Sequence, residues 1–250
     1  MARPARQLSP EGLYRRLEGL PEHLVGEILA GELHVHPRPA PRHALAYSAL
    51  GASLGPLAFG EGGGPGGWWI LDEPELHLGA EVLVPDLAGW RRERLPALPD
   101  TAWFELAPDW VCEILSPSTA TVDRGLKLGI YAREGVGHLW LVDPDARTLE
   151  VFRLGGDGHW VLLEVLSGDA EVRQPPFEAL SFPLGRLWPP QPPSEETPGE
   201  EAPEEAAEGA AGERPEEAAP AGQGGEGPQE DRGRQASGGQ GTEEGAPGAG

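Results

Sequence analysis

The residue pattern predicts a mixed α/β (α+β) fold: a mixed sheet flanked by helices, followed by an acidic tail without a core. Three observations predict it. Short apolar runs of strand length recur between Trp68 and Val165, and they are not interrupted by helices at the regular intervals of a doubly wound fold. Segments with helical spacing stand at the amino terminus and once more after residue 120. The composition breaks at Trp188, beyond which there is no large apolar residue. Residues 1–188 are therefore read as one domain and 189–250 as a disordered tail.

Leu8 to Leu20 opens with Ser9-Pro10-Glu11, a capping serine followed by proline at the first helical position, and continues with Leu13, Leu17 and Leu20 at helical spacing. His23–Leu29 and Glu32–His36 flank Ala30-Gly31 and read as a hairpin, closed by Pro37, Pro39 and Pro41. His43–Phe59 carries Leu45, Leu50, Leu54 and Leu57 and reads as a second helix, weakened by Gly51 and Gly55. Gly60–Gly67 is a loop, and Trp68–Leu71, Glu75–Leu78 and Glu81–Val84 are short strands leading into Pro85-Asp86. Arg91–Asp109 reads as an irregular connection, and Trp110–Leu115 is an apolar run typical of a central strand. Ser116-Pro117-Ser118-Thr119 offers caps for a helix from Thr121 to Glu134, ended by Gly135, whose apolar stripe is Val122, Leu126 and Ile130. His138–Val142, Thr148–Leu154 and His159–Val165 follow as strands, the first two joined by the turn Asp143-Pro144-Asp145.

The chain has 41 acids and 19 bases. The tail holds 15 acids and 3 bases, leaving 41 − 15 = 26 acids and 19 − 3 = 16 bases for residues 1–188. Both parts are acidic, which excludes tight, nonspecific nucleic-acid binding through clustered cations. Lys127 is the sole lysine; the other 18 cations are arginines. One cysteine, Cys112, forbids an internal disulfide and, among apolar neighbours, predicts a reduced thiol in the cytoplasm. No secretory signal and no run of about 20 apolar residues is visible, so no membrane association is expected.

The residues suited to chemistry are Asp86, Glu113 and Lys127. Magnesium takes hard oxygen ligands, which two carboxylates on neighbouring strands supply, and an ammonium beside them orients water or stabilises charge developing on phosphorus. Each has a plainer reading. A Pro-Asp pair commonly starts a turn. Glu113, inside Trp110-Val111-Cys112-Glu113-Ile114-Leu115, is costly if buried alone, so it faces an open site or has a partner. Lys127 follows Asp123 by four residues, the orientation of a solvated helical ion pair worth about 0.2–0.5 kcal/mol. His34 and His36 share a strand face and read as an edge-strand pair rather than a transition-metal site, and His43 reads as an exposed helical histidine. Cys112 reads as an inert core thiol, and Trp68, Trp69, Trp103, Trp110 and Trp140 as core or interface residues. Arg91, Arg92 and Arg94, after the Asp86 strand, read as the only compact basic cluster near the proposed site, suited to phosphate contact or to a solvated loop.

Pro85-Asp86, Glu113, Ser116-Pro117-Ser118, Asp123, Lys127, Tyr131, Gly135-Val136 and Trp140-Leu141-Val142-Asp143-Pro144 together resemble the Uma-type restriction-endonuclease family of the PD-(D/E)xK nuclease superfamily. The likeness runs from Glu27 to Arg153. It implies a restriction-endonuclease-like fold in which Asp86, Glu113 and the Ile114 carbonyl hold magnesium, or manganese in its place, with Lys127 beside the attacking water. The superfamily lysine stands two positions after the acid, where this chain has Leu115, so Lys127 resembles a lysine relocated to the following helix. The implied function is magnesium-dependent hydrolysis of DNA by a homo-oligomer, with a dimer expected. The alternative is a noncatalytic interaction protein that keeps the nuclease fold. The tail is then a solubility or docking segment. A third reading makes the tail a mimic of nucleic-acid charge that shields the site.

Overall fold

The computed structural model describes residues 9–60 and 65–190. Residues 191–250, where the expected disordered tail falls, lie outside them, as do the first eight residues and 61–64.

Helix α1 (Pro10–Glu18) begins as the sequence predicts, with Ser9 Oγ accepting from the Gly12 N–H at 3.2 Å. Strands β1 (Leu24–Leu29) and β2 (Glu32–Pro37) form the hairpin, and positive φ at both Ala30 and Gly31 makes its two-residue turn a tight primed type. Helix α2 (Pro41–Phe59) runs unbroken through Gly51 and Gly55, because Ala46, Leu50, Leu54 and Leu57 are buried along one stripe and tertiary packing outweighs the glycine penalty. It stops at Gly60, which takes the left-handed conformation.

The strands divide between two main sheets. β3 (Trp68–Asp72), β6 (Leu87–Arg91), β8 (Trp110–Ile114), β9 (His138–Asp143), β10 (Thr148–Leu154) and β11 (Trp160–Ser167) form a six-stranded sheet in the order β11-β10-β9-β8-β6-β3, mixed because β8 and β9 run parallel. β4 (Glu75–Leu78), β5 (Glu81–Leu83) and β7 (Trp103–Phe104) extend the hairpin into a five-stranded sheet ordered β2-β1-β5-β4-β7. Strand β7 lies inside the stretch expected to be irregular, and a two-residue strand leaves no periodicity to read. β12 (Glu171–Val172) and β13 (Phe182–Pro183) pair separately, and a 3-10 turn over Leu184–Leu187 follows.

Strand alternation places the site. Trp110, Cys112 and Ile114 of β8 point into a core shared with α2, where Trp110, Trp140 and Phe177 pack edge to face and Trp188 is also buried. Val111 and Leu115 point to the opposite face, toward Ile130 and Tyr131, and Glu113 between them shares that direction. Among the described residues no helix is long and apolar enough to cross a membrane.

The helix expected over Thr121–Glu134 is real but not uniform. It consists of α3 (Ala120–Val122), one π turn (Asp123–Lys127) and α4 (Leu128–Arg133), ending at Gly135. The wide turn rotates the following residues relative to 3.6-residue spacing. Leu126, expected in the apolar stripe, is therefore exposed, while Asp123 and Lys127 are buried.

Candidate metal centre

Asp86 stands one residue before β6, and Glu113 lies on β8. The antiparallel register pairs Leu87 with Cys112 and Ala88 with Val111, so its next step sets Asp86 opposite Glu113 on one face. The Asp86 carboxylate has a neighbour at each oxygen: Oδ2 accepts from the Ile114 N–H at 2.6 Å, and Oδ1 lies 3.2 Å from His43 Nε2, within ion-pair range. Ile114 thus ends β8 with its amide turned to Asp86, and it is buried at the cavity wall.

The π turn carries Lys127 to the same place. Its Nζ lies 3.0 Å from Glu27 Oε1, 3.2 Å from Glu113 Oε1 and 3.3 Å from Asp123 Oδ1, with only 3% of the residue exposed. Tyr131 Oη donates to the same Glu113 oxygen at 2.6 Å. Lys127 is thus neither the solvated helix charge nor half of a simple surface pair. The structure brings Asp86, Glu113, Ile114 and Lys127 to one cavity of about 240 Å³, walled also by His36, Arg38 and the Ser116–Thr119 loop.

Two participants differ from the sequence reading. Glu27 received no role there, yet it is 1% exposed, accepts from the Val84 N–H at 2.8 Å and is the nearest carboxylate to Lys127. The signal was present: Glu27 is an acid inside the apolar run of β1, the same pattern that marked Glu113. His43, expected to be exposed, is 8% exposed at the start of α2. His36 and His34 lie on β2, an edge strand as expected, but they are half-buried rather than a surface pair, and His36 lines the cavity.

The electrostatics follow from burying three carboxylates, Glu27, Glu113 and Asp123, around one ammonium, with the half-buried Asp86 beside Glu113. Burial pushes Glu113 well above the usual carboxylate range; Lys127 pulls it down without cancelling that, and Asp123, Asp86 and Glu27 push it further up. Burial likewise raises Asp123 against the pull of Lys127. Glu27 is the exception: burial works to raise it, but Lys127, His36 and the Val84 amide hold it below its ordinary value. Lys127 is pushed well above the normal lysine range, since Glu113, Glu27 and Asp123 overcome its desolvation. His36 is raised by Glu27, although at 3.7 Å their contact is an attraction between charges rather than a hydrogen bond. Glu27 and Lys127 are therefore the ionised pair, and Glu113 retains a proton to higher pH than an exposed glutamate.

A cation would complete this arrangement. The Asp123 Oδ1 is buried without a hydrogen bond, because Lys127 approaches it off line, and the carboxylates outnumber the ammonium. Among the described residues no three His, Cys, Asp or Glu side chains converge as a ready-made cage. Magnesium, which binds through one or two carboxylates and keeps its waters, does not require such a cage.

Arg91, Arg92 and Arg94 are not at this site. Arg91 closes β6 five residues after Asp86, roughly 16 Å along the strand. Its guanidinium lies 4.7 Å above the Trp68 ring, that of Arg92 lies 4.1 Å above Trp69, and Arg94 pairs with Asp109 at 2.9 Å. The arginine at the cavity is Arg38.

The family model described as "Putative restriction endonuclease", Uma2, matches residues 13–185, which is more than half of the chain. The chain belongs to the Uma2 family. No curated protein matches it. Among solved structures, a putative nuclease from Anabaena variabilis is similar over 72% of this chain and 97% of its own, with 24% identity and a TM-score of 0.57. That likeness shows the restriction-endonuclease-like fold. The Uma2 match spans every residue that lines the cavity, from Val25 to Lys127, together with Glu27 and Tyr131 behind its wall.

Proposed function

We propose that this Uma2 protein is a magnesium-dependent endonuclease that hydrolyses the phosphodiester bonds of DNA. The observation that carries the reading is the convergence of Asp86, Glu113 and Lys127 on one cavity from a loop, a strand and a helix that are far apart in sequence. Asp86, Glu113 and the Ile114 carbonyl would hold the ion, which supplies Lewis-acid polarisation of the scissile phosphate and a more acidic attacking water. The protein's own groups do the rest. The Ile114 amide and His43 orient Asp86; Tyr131 and Lys127 orient Glu113. The Lys127 ammonium, kept charged by Glu27 and buried from bulk water, would place a fixed positive charge beside the phosphate. Arg38 at the cavity wall is positioned for a flanking phosphate.

The test is cleavage of plasmid and single-stranded DNA, with an RNA arm, by the full chain and by Asp86→Ala and Glu113→Ala. Cleavage should need magnesium or manganese, cease with chelator and fall by about 10²-fold or more in both variants. Equal activity in all three proteins would mean a contaminating nuclease and leave the noncatalytic interaction protein as the reading.

A further inference from the structure

We propose that His43 is a positioning residue for Asp86: its imidazole locks the carboxylate in the orientation that binds the divalent ion, an inference that rests on the metal-dependent reading above. His43 is the third residue of α2, a helix anchored in the core through Leu50, Leu54 and Leu57, so its ring is delivered by a rigid element. Its Nδ1 is buried with no partner among the described residues. An unpartnered buried ring nitrogen costs stability, and an aliphatic residue there would avoid that cost. What the imidazole supplies is on its other side, where Nε2 lies 3.2 Å from Asp86 Oδ1.

The geometry at Asp86 shows what that contact does. One carboxylate oxygen is held by the Ile114 N–H at 2.6 Å, and the other faces His43. Among the described residues no other side chain reaches Asp86 within ion-pair distance. Without His43 the carboxylate keeps a single anchor and can turn about its terminal torsion. Each oxygen also has a second lone pair, so both contacts leave acceptor capacity for a cation. Groups that orient metal ligands in this way are worth roughly 10–100-fold in metal affinity.

The experiment is Mn²⁺ binding to the full chain, followed by loss of the free-ion electron paramagnetic resonance signal, for wild type, His43→Gln, His43→Asn and His43→Leu. Thermal unfolding of each confirms that it is folded. The glutamine amide reaches the place of Nε2, whereas the asparagine amide falls short, at the place of Nδ1. His43→Gln should bind within about 3-fold of wild type, and His43→Asn and His43→Leu should bind about 10–100-fold more weakly. If His43→Leu does not fold, the comparison of glutamine with asparagine decides alone. Equal affinity for wild type and His43→Asn, or equal losses for glutamine and asparagine, would overturn the inference while leaving the proposed function standing. Absence of Mn²⁺ binding by wild type would overturn both. The expected pattern of affinities in a protein that cleaves no DNA would support the inference and remove the nuclease reading alone.

Discussion

Replacing Lys127 with methionine, which keeps the length and apolar stem of the side chain, separates a buried site charge from a solvated one. A solvent-facing Asp123–Lys127 pair would cost about 0.2–0.5 kcal/mol to remove. The structure gives a different figure. Lys127 Nζ lies 3.0–3.3 Å from Glu27, Glu113 and Asp123, all buried, and breaking such a pair by deleting one partner costs about 3–5 kcal/mol. For a domain of this size that lowers the midpoint of thermal unfolding by about 6–20 °C. The loss should depend on pH. Without the ammonium, the folded-state value of Glu27 rises above its unfolded one, and that of Asp123, already raised, climbs further. Groups raised in this way stabilise the fold at pH below their unfolded values and lose that contribution as pH climbs through the folded ones. The gap between wild type and Lys127→Met should therefore be small near about pH 5 and full by about pH 8. Urea unfolding followed by tryptophan fluorescence at both pH values measures it. A gap under about 1 kcal/mol at the higher pH, or one that does not change with pH, would refute the buried-charge argument.

Two further outcomes follow from the same electrostatics. Because burial raises Glu113, and a ligand carboxylate must be ionised, Mn²⁺ affinity should strengthen as pH rises and binding should release protons; calorimetry in two buffers of different ionisation enthalpy reads both, and pH-independent affinity would contradict the raised value. Glu27→Gln should lower stability by about 1–3 kcal/mol at neutral pH, since it removes the ionised partner of Lys127 and weakens the acceptor for the Val84 amide; denaturant unfolding with no change would deny Glu27 its place in the site.

Much of the fold was legible because local rules and tertiary packing agree. The capped first helix, the two-residue hairpin turn and the apolar run of β8 are each specified by residues within a few positions of one another. Where the reading failed, the decisive partner lay elsewhere in the chain. His43 looked exposed because its burial depends on a cavity wall formed by residues 84–86 and 113–119, which no pattern in α2 announces. Leu126 was assigned to the apolar stripe by assuming 3.6-residue spacing, which the π turn breaks. The arginine cluster was placed near Asp86 because β6, the strand that carries Arg91 away from it, is too short to show a periodicity after Pro85-Asp86.

The π turn also answers what the sequence left open about Lys127. In the superfamily that the sequence resembles the ammonium shares the strand of the second acid, and here that position is Leu115, buried on the same face as Glu113. An ammonium delivered from a helix must reach back over that strand. A regular helix spaced to bury Val122, Leu126 and Ile130 would turn Asp123 and Lys127 toward solvent. One residue of extra turn reverses the choice: it exposes Leu126 at 41% and buries Lys127 against Glu113 and Glu27. Exposing a leucine and desolvating a lysine are both unfavourable locally, so the turn persists only because three carboxylates already wait at the cavity. The acids and the helix distortion are thus one device, and Glu113 is the one carboxylate that the ammonium shares with the proposed ion.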